Sequence, residues 1–167
     1  MKKNNELNKY YKDFFIEHSI RYIDDINDFN NINGKILFVT SCSKTKTEKE
    51  KAIPKEFYVS KRNIKFYDMC EKLNLLYAIQ SDKYGLLFSN EEVEYYDIHP
   101  SKLTIEDKKL LGEIIKNKAK KNNIDNIIFC NSSPLQSRPY LEMLYFSNIS
   151  YYFISDLKLI EQYYKNK

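Results

Sequence analysis

Apolar and polar residues alternate along this chain in blocks that predict strands and helices in turn. Ile36-Leu37-Phe38-Val39 is an apolar run without polar alternation, and it stops abruptly at Thr40-Ser41-Cys42-Ser43-Lys44-Thr45-Lys46. A run of this kind suits a strand buried on both faces, as in a parallel sheet, and β-branched and aromatic residues favour that pleated environment. The pattern predicts strands over residues 35–40, 75–80, 126–130 and 149–154. Between them the period changes to that of a helix. Residues 60–73 place Ile64, Phe66, Tyr67, Met69, Cys70 and Leu73 on a buried side, with Ser60 as N-cap. Residues 104–121 form the clearest helix. Thr104 and Asp107 resemble a capping box, Leu110, Leu111, Ile114 and Ile115 supply its apolar side, and its lysine-rich end suits the helix dipole. A short helix over residues 140–146 and a closing helix over residues 156–164 complete the series.

Upstream, Leu7, Tyr10, Tyr11, Phe14 and Phe15 recur at spacings of three and four, which predicts a helix that Ile20, Tyr22 and Ile23 extend. Residues 24–34, rich in Asn and Asp, read as a connection. Alternating strands and helices with long connections imply right-handed crossovers. The expected fold class is therefore α/β, a three-layer sandwich with a mostly parallel central sheet. It is expected as a single domain over residues 1–167, with a helical N-terminal extension (1–34) and an α/β core (35–167).

Composition narrows the function more than the fold. No apolar run approaches the roughly 20 residues that span a bilayer, and Met1 to Glu6 has no apolar signal core behind it, so a cytoplasmic protein without membrane association is expected. Three widely spaced cysteines, Cys42, Cys70 and Cys130, do not form a disulfide framework, and with only His18 and His99 they lack metal-ligand spacing. No metal and no cofactor is expected. The three glycines exclude a Gly-rich dinucleotide loop and a P-loop. A net charge of +4 permits a phosphate-bearing partner without requiring one.

Candidate chemistry collects at three strand ends, where open parallel sheets bind ligands. The first is Ser41-Cys42-Ser43-Lys44-Thr45-Lys46. Cys42 becomes a thiolate nucleophile if neighbouring lysines lower its pKa, and Lys44 or Lys46 can fix an anion or act as an amine. The second is Ser81-Asp82-Lys83-Tyr84-Gly85-Leu86-Leu87, with Gly85 in a positive-φ turn and Lys83 facing the same edge as Lys46. Tyr95-Tyr96-Asp97 can return a carboxylate to that edge for proton transfer on a heterocycle. The third is Asn131-Ser132-Ser133-Pro134-Leu135-Gln136-Ser137-Arg138, whose amides and hydroxyls can read a base edge while Arg138 binds phosphate. Capping of a helix by Ser133 or Ser137 is the simpler use of those serines.

Cys42-Ser43-Lys44-Thr45-Lys46, then Tyr58 and Ser60, then Ser81-x-Lys83-x-Gly85-Leu86-Leu87, then Tyr96-Asp97 resemble a family of small bacterial, archaeal and phage proteins with C-x-K-x-K, S-x-K-x-G-L-L and P-Y-D motifs. That group resembles the uracil-DNA-glycosylase-like superfamily. The Cys42-to-Lys46 spacing is also similar to the lysine-transfer domain of archaeosine synthase, which attaches lysine to a 7-deazaguanine base in transfer RNA. Two positions depart: Tyr95 stands where the box has proline, and Thr47-Glu48 follow Lys46 where the archaeosine pattern has Pro-Tyr. The resemblance implies a nucleobase or nucleotide pocket.

The expected function is an enzyme that recognises a nucleobase or nucleotide and modifies or transfers to the base, as a transferase or glycosidase in tRNA or DNA modification. Lys46, Asp97 and Cys42 are the expected catalytic residues. Ser41, Ser43, Lys44, Tyr58, Ser81, Lys83, Tyr84, Gly85, Tyr96, Asn131, Ser132 and Arg138 are the expected binding residues. Partners would be the nucleobase or nucleotide, tRNA or DNA, and a separate transglycosylase or other modification enzyme. The alternative is a non-catalytic nucleic-acid-binding protein, such as a stress or phage-defence accessory.

Overall fold

The computed structural model describes residues 12–43, 46–47 and 49–167. In chain order its elements are β1 (Arg21–Ile23), β2 (Ile36–Ser41), β3 (Lys51–Ala52), α1 (Pro54–Phe57), α2 (Lys61–Lys72), β4 (Tyr77–Ser81), β5 (Gly85–Phe88), β6 (Val93–Glu94), α3 (Ile105–Lys121), β7 (Asn126–Cys130), α4 (Pro134–Ser147), β8 (Ser150–Ile154) and α5 (Leu157–Lys165). Short 3-10 turns cover Ile26–Asn31 and Pro100–Lys102.

Six strands form one sheet in the order β1-β8-β7-β2-β4-β5. The first five run parallel, and β5 returns antiparallel to β4. The apolar run Ile36–Val39 lies in β2, where Leu37, Phe38 and Val39 are buried as expected of a strand covered on both faces. Phe38 pairs with Tyr77 in register, so both side chains point to one face. There they meet α5 and α2: Phe38 lies 5.8 Å from Tyr164, and Tyr77 5.8 Å from Phe66. Val39 pairs with Phe129 on the other face, where Phe129 stacks on Tyr140 of α4. The fold is α/β with a mostly parallel central sheet flanked by helices.

The helix starts are set locally. Ser60 accepts the Asn63 N–H at the start of α2, and Thr104 and Asp107 exchange both bonds of a capping box at α3. Asp156 caps α5 by accepting the Lys158 N–H. On α3 only part of the expected stripe is buried. Leu111 and Ile115 are inside, whereas Leu110 and Ile114 are exposed, as is Ile64 on α2. The face of α3 turned to α4 instead carries Gly112, where a Cβ would stand 2.8 Å from the Met143 carbonyl oxygen. The absence of a side chain is what lets the two helices approach.

Three boundaries differ from the sequence reading. Ile20, Tyr22 and Ile23 do not extend a helix. Arg21–Ile23 forms β1 and adds a parallel edge to β8, because tertiary pairing overrides a helical period in so short a segment. Of that predicted helix, residues 12–17 are helical, while Leu7, Tyr10 and Tyr11 lie outside the described residues. The stretch after β4 is a hairpin, since Gly85 to Phe88 pairs back on Ala78 to Ser81. The helix expected over residues 140–146 starts six residues earlier, at Pro134, with Ser133 as its cap. Pro139 lies inside it and masks the helical pattern in the sequence. Among the described residues no helix is long and apolar enough to cross a membrane.

Candidate functional site

The site is built on the carboxyl ends of β2, β4 and β7, where three buried strands release polar chain. The segment after β2 is tied down by Lys46, which bridges to Tyr58, and by Thr47, whose N–H donates to the Phe57 carbonyl at 2.9 Å. Farther on, β3 and β6 form a two-stranded ribbon, and the Tyr95 N–H donates to the Glu50 carbonyl at 3.2 Å. This ribbon brings Tyr96 from far along the chain to the ends of β2 and β4.

Tyr96 organises what it meets. Its hydroxyl lies 2.5 Å from the Tyr58 hydroxyl and 2.8 Å from Ser81 Oγ. The Lys46 ammonium stands 4.6 Å above its ring and the Lys83 ammonium 5.6 Å away. Ser81 Oγ also accepts the Lys83 and Tyr84 N–H groups, which shapes the turn into β5. Gly85 has φ of +76°, the left-handed conformation expected of it, and packs against Leu111 and Ile114 of α3. Burial pushes the Tyr58 and Tyr96 phenols up from their ordinary values, so both stay protonated donors.

Asp82 is the residue that sequence reasoning passed over. It is 4% exposed, and among the described residues its Oδ1 has no hydrogen-bond partner. Burial holds its carboxyl above the ordinary value. The Lys46 charge, the Cys42 thiol and the Tyr96 hydroxyl pull the other way. A carboxyl that is buried, lightly partnered and set beside a cation matches the environments that tune acid–base groups. Its one sequence signal was its place, directly after a wholly buried strand.

Asp97, the carboxylate expected here, is exposed. The chain turns at the buried Tyr96 and carries the next side chain outward. Arg138 is also elsewhere. It lies on α4, exposed, 3.5 Å from the Glu142 carboxylate and 5.1 Å from the Phe14 ring. Lys44 lies outside the described residues. Ser43 is buried, Tyr84 is half-buried and Lys83 is exposed.

Cys42 is not activated. Its Sγ lies 3.3 Å from the Tyr140 hydroxyl, and burial, reinforced by the Asp82 charge, pushes the thiol up to about 11. Lysine, expected to lower it, is not among the influences on this thiol, and desolvation dominates. At pH 8 roughly one molecule in 10³ carries the thiolate, against roughly a quarter for a free thiol near 8.5. Cys42 is therefore expected to react with a disulfide reagent at pH 8 at least about ten times more slowly than free cysteine, since its rarer thiolate is only partly offset by greater nucleophilicity. Mass-spectrometric timing of labelling at this residue checks it, and fast labelling would restore the nucleophile. Cys70 and Cys130 are also buried and unpaired.

On the other side of Ser41 a cavity of about 310 Å³ opens between β2, β7, α2 and the start of α5, with Asn131 and Ser132 in its wall. The cavity lies where the chain order reverses. From β2 the chain runs through α2 to β4, and from β7 it runs through α4 to β8 on the opposite side. Open α/β sheets bind ligands at such switch points. Arg62 joins the cavity to the Asp82 side. Its Nη2 lies 3.2 Å from the Ser41 carbonyl oxygen and 3.0 Å from Ser41 Oγ, and 3.4 Å from the Cys42 carbonyl oxygen. Asn131 Nδ2 donates to Ser41 Oγ at 3.4 Å, and Asn131 Oδ1 accepts the Ser133 N–H at 3.0 Å.

No curated protein and no solved structure matches this chain. A family model does match, over residues 36–147, which take in β2 through α4 and every strand end described above. The chain therefore belongs to DUF6884, a family of unknown function.

Proposed function

We propose that this protein is an enzyme acting on a nucleobase, nucleoside or nucleotide, with the heterocycle seated at the carboxyl ends of β2 and β4. The observation that carries this reading is Asp82, a buried carboxyl beside Lys46 and Tyr96, one of whose oxygens has no hydrogen-bond partner among the described residues. Asp82 moves a proton on or off the heterocycle, replacing Asp97 in that role. Lys46 holds charge near the reacting atoms, and its place over the Tyr96 ring fixes its direction. Cys42 lines the site as a small neutral group. Tyr58 and Ser81 are fully buried and act by holding Tyr96. The resemblance of the C-x-K-x-K and S-x-K-x-G-L-L loops to a group similar to the uracil-DNA-glycosylase-like superfamily, and of the Cys42-to-Lys46 spacing to the lysine-transfer domain of archaeosine synthase, supports the same substrate class, including 7-deazaguanines. It also supports the uracil-DNA-glycosylase-like assignment of the sheet.

The test is a thermal-shift panel of free bases including 7-deazaguanines, nucleosides, nucleotides, and short RNA and DNA. A compound present at about a hundred times its dissociation constant stabilises the fold by roughly 2.7 kcal/mol. A shift from a small heterocycle that disappears in Lys46→Ala is the expected result. A shift from oligonucleotides alone, lost at high salt, would replace the enzyme with a nucleic-acid-binding protein.

A further inference from the structure

The cavity between β2 and β7 is walled by three cations, Lys61, Arg62 and Lys65, and among the described residues no carboxylate lines it. We infer that this cavity is a phosphate site, which takes the phosphoryl group of a mononucleotide whose base lies on the Asp82 side. The inference rests on the nucleobase reading for the second half of that statement and on the cavity alone for the first.

Three observations carry it. Lys61 and Arg62 stand in the first turn of α2, which has no acidic residue. Cations there oppose the helix dipole, whose N-terminal end is already positive. A bound anion would reverse that cost. Second, Arg62 is only partly satisfied. Its Nη2 is engaged with the β2 end, while its Nε is buried and has no partner among the described residues. Arg62 itself lines the cavity, and a guanidinium there can offer N–H groups to a phosphate oxygen. Third, the rest of the wall suits a small phosphate ester rather than a large partner. Asn131 is committed to Ser41 and Ser133, which leaves the cations as the principal recognition groups, and Phe66 and Leu157 supply apolar wall. A volume of about 310 Å³ lies at the small end of ligand pockets. Arg62 lines the cavity and also bonds Ser41 and Cys42 at the end of β2, which makes it the link from the phosphate site towards the Asp82 side.

The experiment is titration calorimetry of the native chain and of the Lys61→Ala/Lys65→Ala double variant. The probes are the four ribonucleoside 5′-monophosphates, the four nucleosides and inorganic pyrophosphate. Both lysines are exposed, so the variant is expected to keep the native thermal midpoint. The expected result is that one monophosphate binds at least tenfold more tightly than its nucleoside, and that this ratio falls towards one in the variant. Equal binding of nucleotide and nucleoside by the native chain, or a ratio unchanged in the variant, would overturn the phosphate site and leave the nucleobase reading intact. Binding of pyrophosphate that depends on the two lysines, with no nucleoside or nucleotide bound, would sustain the phosphate site and reject the nucleobase. No binding of any probe would overturn both.

Discussion

Under the proposed function, Asp82→Asn is expected to lower turnover by a factor of about 10² to 10⁴, the usual contribution of a general acid or base, without lowering thermal stability. The two effects separate because the same burial produces both. Desolvation, the main influence on Asp82, penalises its charged form. An unfolded aspartate ionises near about 3.9. Below that pH both states keep the proton, and the native chain and the variant differ little. As pH rises from there through the raised folded value, the unfolded chain gives up its proton first, and the native protein loses stability. Asparagine carries no such term. The difference in midpoint, variant minus native, should therefore be small near pH 3 and increasingly positive towards neutrality. Differential scanning calorimetry across that range reads it. A variant clearly less stable than the native chain at pH 7 would mean that the ionised carboxylate is held by a favourable ion pair, and Asp82 would lose its role as a tuned acid–base group.

Removal of the Tyr96 ring is expected to be the most destabilising change near the site. Tyr96 is 5% exposed, stacks 6.1 Å from Phe57, and bridges Tyr58 to Ser81. Tyr96→Ala should cost about 3–5 kcal/mol, as for other buried aromatic deletions. For a domain of this length that is a fall in midpoint of roughly 10 °C. Tyr96→Phe keeps the ring and strands the Tyr58 hydroxyl, while Ser81 keeps its bonds from the Lys83 and Tyr84 N–H groups, at a cost of about 1–3 kcal/mol. A double-mutant cycle of Tyr58→Phe with Tyr96→Phe isolates the shared bond and should return a coupling above about 0.5 kcal/mol. Additive effects would show that the two hydroxyls do not depend on each other, and the support of Lys46 by this network would fall with them.

Asp82 and Asp97 show how far the sequence could be followed. Both carboxylates were visible in their loops, and the motif carrying Tyr96-Asp97 drew attention to the second. Which one turns inward depends on the β3–β6 ribbon, formed by two pairs of residues far apart in the chain. Its pairing is too short to leave a period in either segment. Lys61, Arg62 and Lys65 were hidden for another reason. In sequence they are ordinary helical cations, and only the positions of β7 and α5 make them the wall of a cavity. The expectation of an activated Cys42 has the same source, since charge nearby in sequence is legible and desolvation is not.

What the sequence by itself determined was local in origin. The apolar run of β2 and the runs of β4, β7 and β8 specify buried strands within one or two residues of their observed ends. Ser60, Thr104 with Asp107, and Gly85 specify helix starts and a turn through bonds or dihedral angles made within a few residues. Their alternation is enough for an α/β sandwich. The tertiary structure decided the rest. It placed Arg21–Ile23 as an edge strand, turned Asp82 in and Asp97 out, and set three cations of α2 opposite Asn131. Those outcomes depend on burial and on contacts between residues distant along the chain, and neither is a property of any single segment.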